Sequence, residues 1–157
     1  MHIIQLLKQE HEAIERELIE LEKIFEDINE LNEVNFPNVN HTFRKLCDIW
    51  NSHENEEEEV FPILSRNEIE IDIEKMLTDH KILRVYKNNI LDAIDSGSFE
   101  KIRIAFSEDV PIMIKKLREH IDQEDNILYT AVLKYTSELE LENLKNKFPN
   151  LGNWLKD

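Results

Sequence analysis

The chain has 157 residues, about one domain's worth, and 41% hydrophobic residues with a mean hydropathy of −0.51 suit an ordinary soluble core. Its 19 Lys and Arg against 34 Asp and Glu leave a net charge of −15, a sign that repels nucleic acid backbones and anionic membrane surfaces. A single cysteine, Cys47, excludes an internal disulfide, no run reaches the ~18 apolar residues of a membrane span, and two Gly with four Pro leave too little turn chemistry for an all-β fold.

The first thirty residues place Ile4, Leu7, Ile14, Leu18, Leu21, Phe25 and Ile28 at steps of three and four, the seam of an amphipathic helix with one gap at position 11. The stretch from Asn32 to Asn40 is expected to break it. A second seam runs Phe43, Leu46, Trp50, two gaps, Val60 and Leu64, with Pro62 distorting its last turn. A third runs Ile69, Ile73, Met76, a gap, Leu83, Ile90 and Ile94 before Ser96-Gly97-Ser98; Lys87 falls on it without explanation. The fourth runs Phe106, Val110, Met113, Leu117, two gaps, Ile127 and Ala131, with Ser107 expected to cap a fresh helix ahead of Pro111 and Phe99 to Phe106 as a short separate turn. Ser137 to Lys147 reads as a small fifth helix, and Trp154 and Leu155 in the tail as folding back on the bundle. The fold expected is all-α: an up-down-up-down four-helix bundle over about 1–135, with a C-terminal helix and tail over 136–157, all in a single domain. No signal-peptide pattern opens the chain, so cytoplasmic residence is expected.

The gaps carry the chemistry. They hold His11, His53, Glu57, His80, His120 and Glu124. An ionisable residue in a core-facing slot costs several kcal/mol unless something compensates it. Each helix contributes one histidine, and the second and fourth add a glutamate four residues on, so ring nitrogen and carboxylate share a face. His2 and His41 fall off the seams. His11 also has Glu15 four residues on, but Glu15 lies beside the seam and reads as a surface partner. The run Glu56-Glu57-Glu58-Glu59 reads mostly as a solvated face.

Counting residues from the helix ends puts His53 and His80 at one height and allows all four histidines a common layer. Imidazoles mixed with hard carboxylates, without thiolates, suit two iron ions better than one zinc; manganese fits less well. If Glu57 and Glu124 bridge, each metal has four protein donors. An oxo or hydroxo bridge makes five, leaving an open position for a diatomic or peroxide.

These residues resemble the hemerythrin-like family of small helical bundles with a histidine and glutamate cation site. The resemblance rests on His11 between Glu10 and Glu12, on His53-Glu54-Asn55-Glu56-Glu57 leading into Val60-Phe61-Pro62, on Asp79-His80-Lys81, and on His120-Ile121-Asp122-Gln123-Glu124 leading into Ile127-Leu128. It covers about residues 1–135. It implies that His11 and His53 bind one iron and His80 and His120 the other, with Glu57 and Glu124 bridging. The chain departs from the oxygen carriers of the family, which place a second histidine one turn from that of the third helix; here those positions are Met76 and Arg84. Glu54, 100° off the seam, is a candidate compensating ligand, and Trp50 and Leu117 are candidate pocket walls.

The function expected is a non-haem di-iron protein that binds or reacts with O₂, NO or peroxide in sensing or stress defence, as a monomer or homodimer, and an oxidoreductase-type activity is compatible with it. Two other readings stand beside it: an iron donor for repair of iron–sulfur or di-iron centres, and a metal-free helical interaction module.

Overall fold

The apolar seams become helices along nearly all of residues 1–153, which a computed structural model of the chain describes. Helix α1 spans Ile3–Leu31, α2 Phe36–Leu64, α3 Ile73–Asp95, α4 Phe99–Glu108 and α5 Val110–Gln123; a π-helical turn over Glu124–Leu128 leads into α6, Tyr129–Tyr135, and α7 covers Glu138–Asn146. Among the described residues the only β-type pairing is an isolated bridge between Arg66 and Ile69, and no helix is long and apolar enough to cross a membrane. Trp154 and Leu155 lie outside the described residues.

Capping chemistry sets the boundaries. His2, off the seam, closes a capping box at the head of α1: its side chain accepts from the Gln5 N–H, and the Gln5 side chain accepts from the His2 N–H. Asn32 ends α1 in the left-handed region (φ 52°), a conformation asparagine tolerates. The break after α1 is shorter than expected. The Asn35 side chain accepts from the Asn38 N–H, and Pro37 sits in the first turn, where its missing N–H costs nothing, so α2 starts at Phe36. Conversely α3 starts later, at Ile73, because Asp72 caps it; Ile69 is buried in the preceding turn instead.

The expected cap at Ser107 is not formed. Phe99 to Glu108 is a full helix capped by Ser98, and the chain restarts at Val110. Pro111 explains the junction, since it offers no N–H to the carbonyl four residues back and its ring crowds that carbonyl. Ile127 is a second correction, being 70% exposed. The π turn, in which the Tyr129 N–H bonds to the Glu124 carbonyl, holds one more residue than an α turn. It rotates the following residues, so Tyr129 and Val132 face the core in place of Ile127 and Ala131.

Helix α1 packs on α2, α2 on α3, and α3 on α4 and α5, while α1 also meets α4, α5 and α7. The apolar interior is divided in two. One cluster joins Ile14, Leu18, Phe43, Trp50, Leu83 and Leu117; the other joins Ile4, Leu7, Val60, Phe61, Met76 and Tyr129. On every helix of the bundle the expected site positions fall between the two. Burial of each of these side chains is worth roughly 1.5–3 kcal/mol, which holds the polar layer in place from both sides.

The tail past α7 returns to α1. Leu151 is buried, and Gly152 sits at φ 74° with its N–H donating to Glu56 Oε1 at 3.2 Å. A Cβ there would stand 2.5 Å from Leu6 Cδ1. Gly152→Ala is therefore expected to cost about 1–3 kcal/mol, from left-handed backbone and displacement of buried Leu6 together, as read by urea denaturation.

Candidate metal centre

All six seam-gap residues meet in the layer between the two apolar clusters. His11, His53, Glu57 and Glu124 form one group of possible metal donors and Glu57, His80 and His120 a second, the donor atoms within each group lying within 4.8 Å of one another. Glu57 belongs to both. Its Oε1 is 2.5 Å from His53 Nε2 and its Oε2 is 3.1 Å from His80 Nε2 and 3.8 Å from His120 Nε2. Glu124 Oε1 lies 3.4 Å from His11 Nε2 and 3.2 Å from His120 Nε2.

Every imidazole turns Nε2 inward and Nδ1 outward, and every Nδ1 faces a carboxylate. His53 Nδ1 is 2.8 Å from Glu10, His11 Nδ1 2.8 Å from Asp125, His80 Nδ1 3.0 Å from Glu58, and His120 Nδ1 3.8 Å from Asp79. These outer carboxylates run in a ring: α1 supports the histidine of α2, α2 that of α3, α3 that of α5, and the π turn that of α1. Each is the sequence neighbour of a donor, as in Glu10-His11, Glu57-Glu58, Asp79-His80 and Glu124-Asp125. The sequence reading passed over all four. An acidic residue beside each donor was the available signal, but which histidine it supports depends on helix packing. The run Glu56 to Glu59 is accordingly not mainly solvated: Glu57 is fully buried, Glu56 and Glu58 are half-buried, and only Glu59 is exposed.

The π turn has a specific effect here. It brings consecutive residues to opposite nitrogens of one ring, Glu124 to Nε2 and Asp125 to Nδ1 of His11. Behind His53 a chain of contacts continues outward. Glu10 supports His53, Glu56 lies against Glu10, and the Gly152 N–H donates to Glu56. Burial and the neighbouring Glu10 push the Glu56 carboxyl up, which favours its protonated form.

This arrangement calls for a cation. A carboxylate accepts only, so His11 and His53 carry hydrogen on Nδ1. If both rings are neutral, their Nε2 lone pairs confront each other at 2.9 Å. A proton or a metal ion must lie between them. In addition Glu57 Oε1, both Glu124 carboxylate oxygens and His120 Nε2 are buried without a hydrogen-bond partner, although each lies close to other donors. Such atoms are normally paired, and donors that crowd together without bonding one another fit a shared metal.

Without metal, protons take that role. Burial opposes charge on His11, but Asp125, Glu124 and Glu57 outweigh it and raise its pKa from 6.5 to about 11; against the same burial Glu57 and Glu10 raise His53 to about 10, and Glu124 and Glu57 raise His120 to about 10. Burial likewise opposes charge on Glu57, yet His53, His11 and His120 hold it well below the usual carboxylate range. A raised histidine pKa stabilises the fold fully below 6.5 and loses that contribution as pH rises through about 10–11. The metal-free protein is thus expected to lose urea resistance steadily from pH 7 to pH 10. Metal uptake is expected to release protons, measurable in weakly buffered solution.

The remaining candidates fall elsewhere. Glu54 turns away from both donor groups toward α3, with Oε1 3.7 Å from Lys87 Nζ and Oε2 3.5 Å from Arg84. Glu15 pairs with Arg118 at 2.7 Å, as a surface partner should. His41 is exposed, and Trp50 and Leu117 are core residues.

No curated protein and no solved structure gives a significant match to the chain. The family described as the hemerythrin HHE cation binding domain matches residues 2–132, a span that includes α1 to α5 and all six donors. A buried histidine and glutamate layer able to hold a metal, inside a helical bundle that matches over this length, makes the chain a member of the hemerythrin HHE cation-binding family.

Proposed function

We propose that the six donors would hold two iron ions, His11 and His53 on one, His80 and His120 on the other, with Glu57 and Glu124 as the carboxylates shared between them, in an up-down-up-down four-helix bundle working in the cytoplasm. The reading rests above all on one observation: four inward Nε2 atoms converge on the two oxygens of one glutamate while each Nδ1 is turned to a carboxylate. Mixed imidazole and carboxylate donors without thiolate suit iron. Bound there, iron supplies redox chemistry and open coordination positions for O₂, NO or peroxide, which fits sensing or stress defence.

The protein's own residues do the rest. Glu10, Glu58 and Asp125 hold the His53, His80 and His11 rings in the Nδ1–H tautomer and raise the basicity of Nε2, while Asp79 stands 3.8 Å from Nδ1 of His120. The two apolar clusters flank the layer on both sides along the bundle. Met76, one turn before His80, supplies no third nitrogen, so the His80–His120 half keeps an incomplete donor set.

Elemental analysis after iron-replete expression is expected to give about two irons per chain, because the donors fall into two groups that share Glu57; one zinc per chain or no metal would refute the reading. With the donor set incomplete, the reduced protein is expected to be oxidised by air without releasable O₂. A visible band that vanished under vacuum and returned on each aeration would instead make it a carrier.

A further inference from the structure

Between the N-terminal end of α3 and the π turn with α6 lies a cleft of about 260 Å³. Its apolar walls are Phe61, Ile71, Met76, Ile127, Leu128 and Ala131, and it reaches His120 and Glu124. These are donors with unpaired buried atoms, His120 Nε2 and both Glu124 oxygens. The other half of the cluster is closed. The His11, His53 and His80 side chains are 3%, 4% and 1% exposed against 15% for His120, the one accessible ring of the four, and Tyr129 stacks on the His11 ring at 5.5 Å. The open side is therefore the one where Met76 stands in place of a third imidazole, and the thioether of Met76 forms part of the cleft wall.

Charge at this cleft is one-sided. Glu70, Asp72 and Asp79 border it with Lys75 as the one lysine, which pairs with Asp79 at 3.4 Å, while Asp72 accepts from the Lys75 N–H as the cap of α3 and the rim keeps a net negative charge. An anion meets repulsion at this rim and then a mainly apolar wall in which Gln123 is the one neutral amide. A smaller cleft of about 170 Å³ also touches His120, but Lys116 and Glu119 balance its charge and it does not reach Glu124.

We propose that the α3–π cleft is the entry and selection site for the exogenous ligand, that it admits small uncharged molecules such as O₂, NO or hydrogen peroxide over anions such as superoxide, nitrite or azide, and that it delivers them to the His80–His120 half. This rests on the metal reading above. Dispersion contacts with the apolar walls select for uncharged solutes, and the acidic rim selects against negative ones.

The test has a metal-free arm and a loaded arm. Crystals of the metal-free protein under xenon are expected to show the gas against Met76 and Ala131, since apolar cavities take up apolar gases. Ala131→Phe should abolish that site, while Ala131→Ser should keep it. Xenon found only elsewhere would overturn the proposal, and this arm stands whether or not the bound metal proves to be iron. In the loaded arm, variants are first matched for metal content. NO association with the reduced protein is expected to slow at least tenfold in Ala131→Phe and to stay unchanged in Ile82→Trp, which fills the smaller cleft. Equal rates in Ala131→Phe and the parent, or slowing by Ile82→Trp alone, would refute the route. Azide association should rise several-fold with added salt and in Glu70→Lys while NO association does not move; azide rates indifferent to both would refute the charge selection.

Discussion

Glu57→Ala is expected to empty the centre of metal and to destabilise the metal-free protein as well. Glu57 is the one residue shared by both donor groups, so its loss removes an oxygen from each. Outer-shell changes typically weaken metal binding about 10–100-fold, and loss of a carboxylate spanning both groups should exceed that. Glu10→Gln, which touches only the back of His53, is expected to stay within that smaller range. Without metal, Glu57 is the buried anion that offsets charge on His53, His11 and His120, and removing one partner of a buried charge cluster costs about 3–5 kcal/mol. Metal content by elemental analysis and urea denaturation of the stripped protein read the two effects separately. Unchanged iron and unchanged stability in Glu57→Ala would contradict the assignment. His41→Ala, at an exposed position away from the site, is expected to change neither.

A second large effect is expected outside the donor set, at Lys87. This lysine is 2% exposed, with Nζ 2.7 Å from Asn51 Oδ1, 3.7 Å from Glu54 Oε1 and 4.1 Å from the centre of the Trp50 ring. Burial pulls its pKa down and Glu54 resists the fall. Lys87→Ala strips the buried Glu54 of its buried cation and leaves it only Arg84, which reaches Oε2 at 3.5 Å from a half-exposed position. It also opens a cavity under Trp50. The expected loss is about 3–5 kcal/mol, or roughly 6–20 °C in Tm for a chain of this size. Lys87→Met combined with Glu54→Gln removes both charges and keeps the volume, and should recover most of the loss. Additive losses in the double variant would show that the two residues are not coupled.

Lys87 also shows where sequence reasoning ends. Its place on the third seam marks it as buried, but nothing local shows that Glu54, one residue past His53, turns to meet it. The same geometry answers the question about Glu54 as a ligand. At 100° from the seam a side chain can reach the centre or the neighbouring helix, and a cation waiting on α3 decides for the neighbour. Cys47 is a simpler case: burial raises its thiol to about 11, so its solitary status and its inertness agree.

The helical class and the six polar residues that interrupt the apolar stripes were determined by the sequence itself, because a helix repeats every 3.6 residues and a polar residue in an apolar stripe is visible without knowing its neighbours. The positions of α2 and α3 were off by a few residues only where Asn35 and Asp72 outcompeted the pattern as caps. What tertiary structure alone decided is everything that depends on contacts between helices. The π turn is one such feature: its extra residue exposes Ile127, buries Tyr129, and sets Glu124 and Asp125 on the two faces of His11. The ring of outer carboxylates is another, since each acts on a helix other than its own. Periodicity reports which way a side chain faces from its own helix axis, whereas the partner it meets is fixed by how separate helices pack, and local sequence carries no record of that.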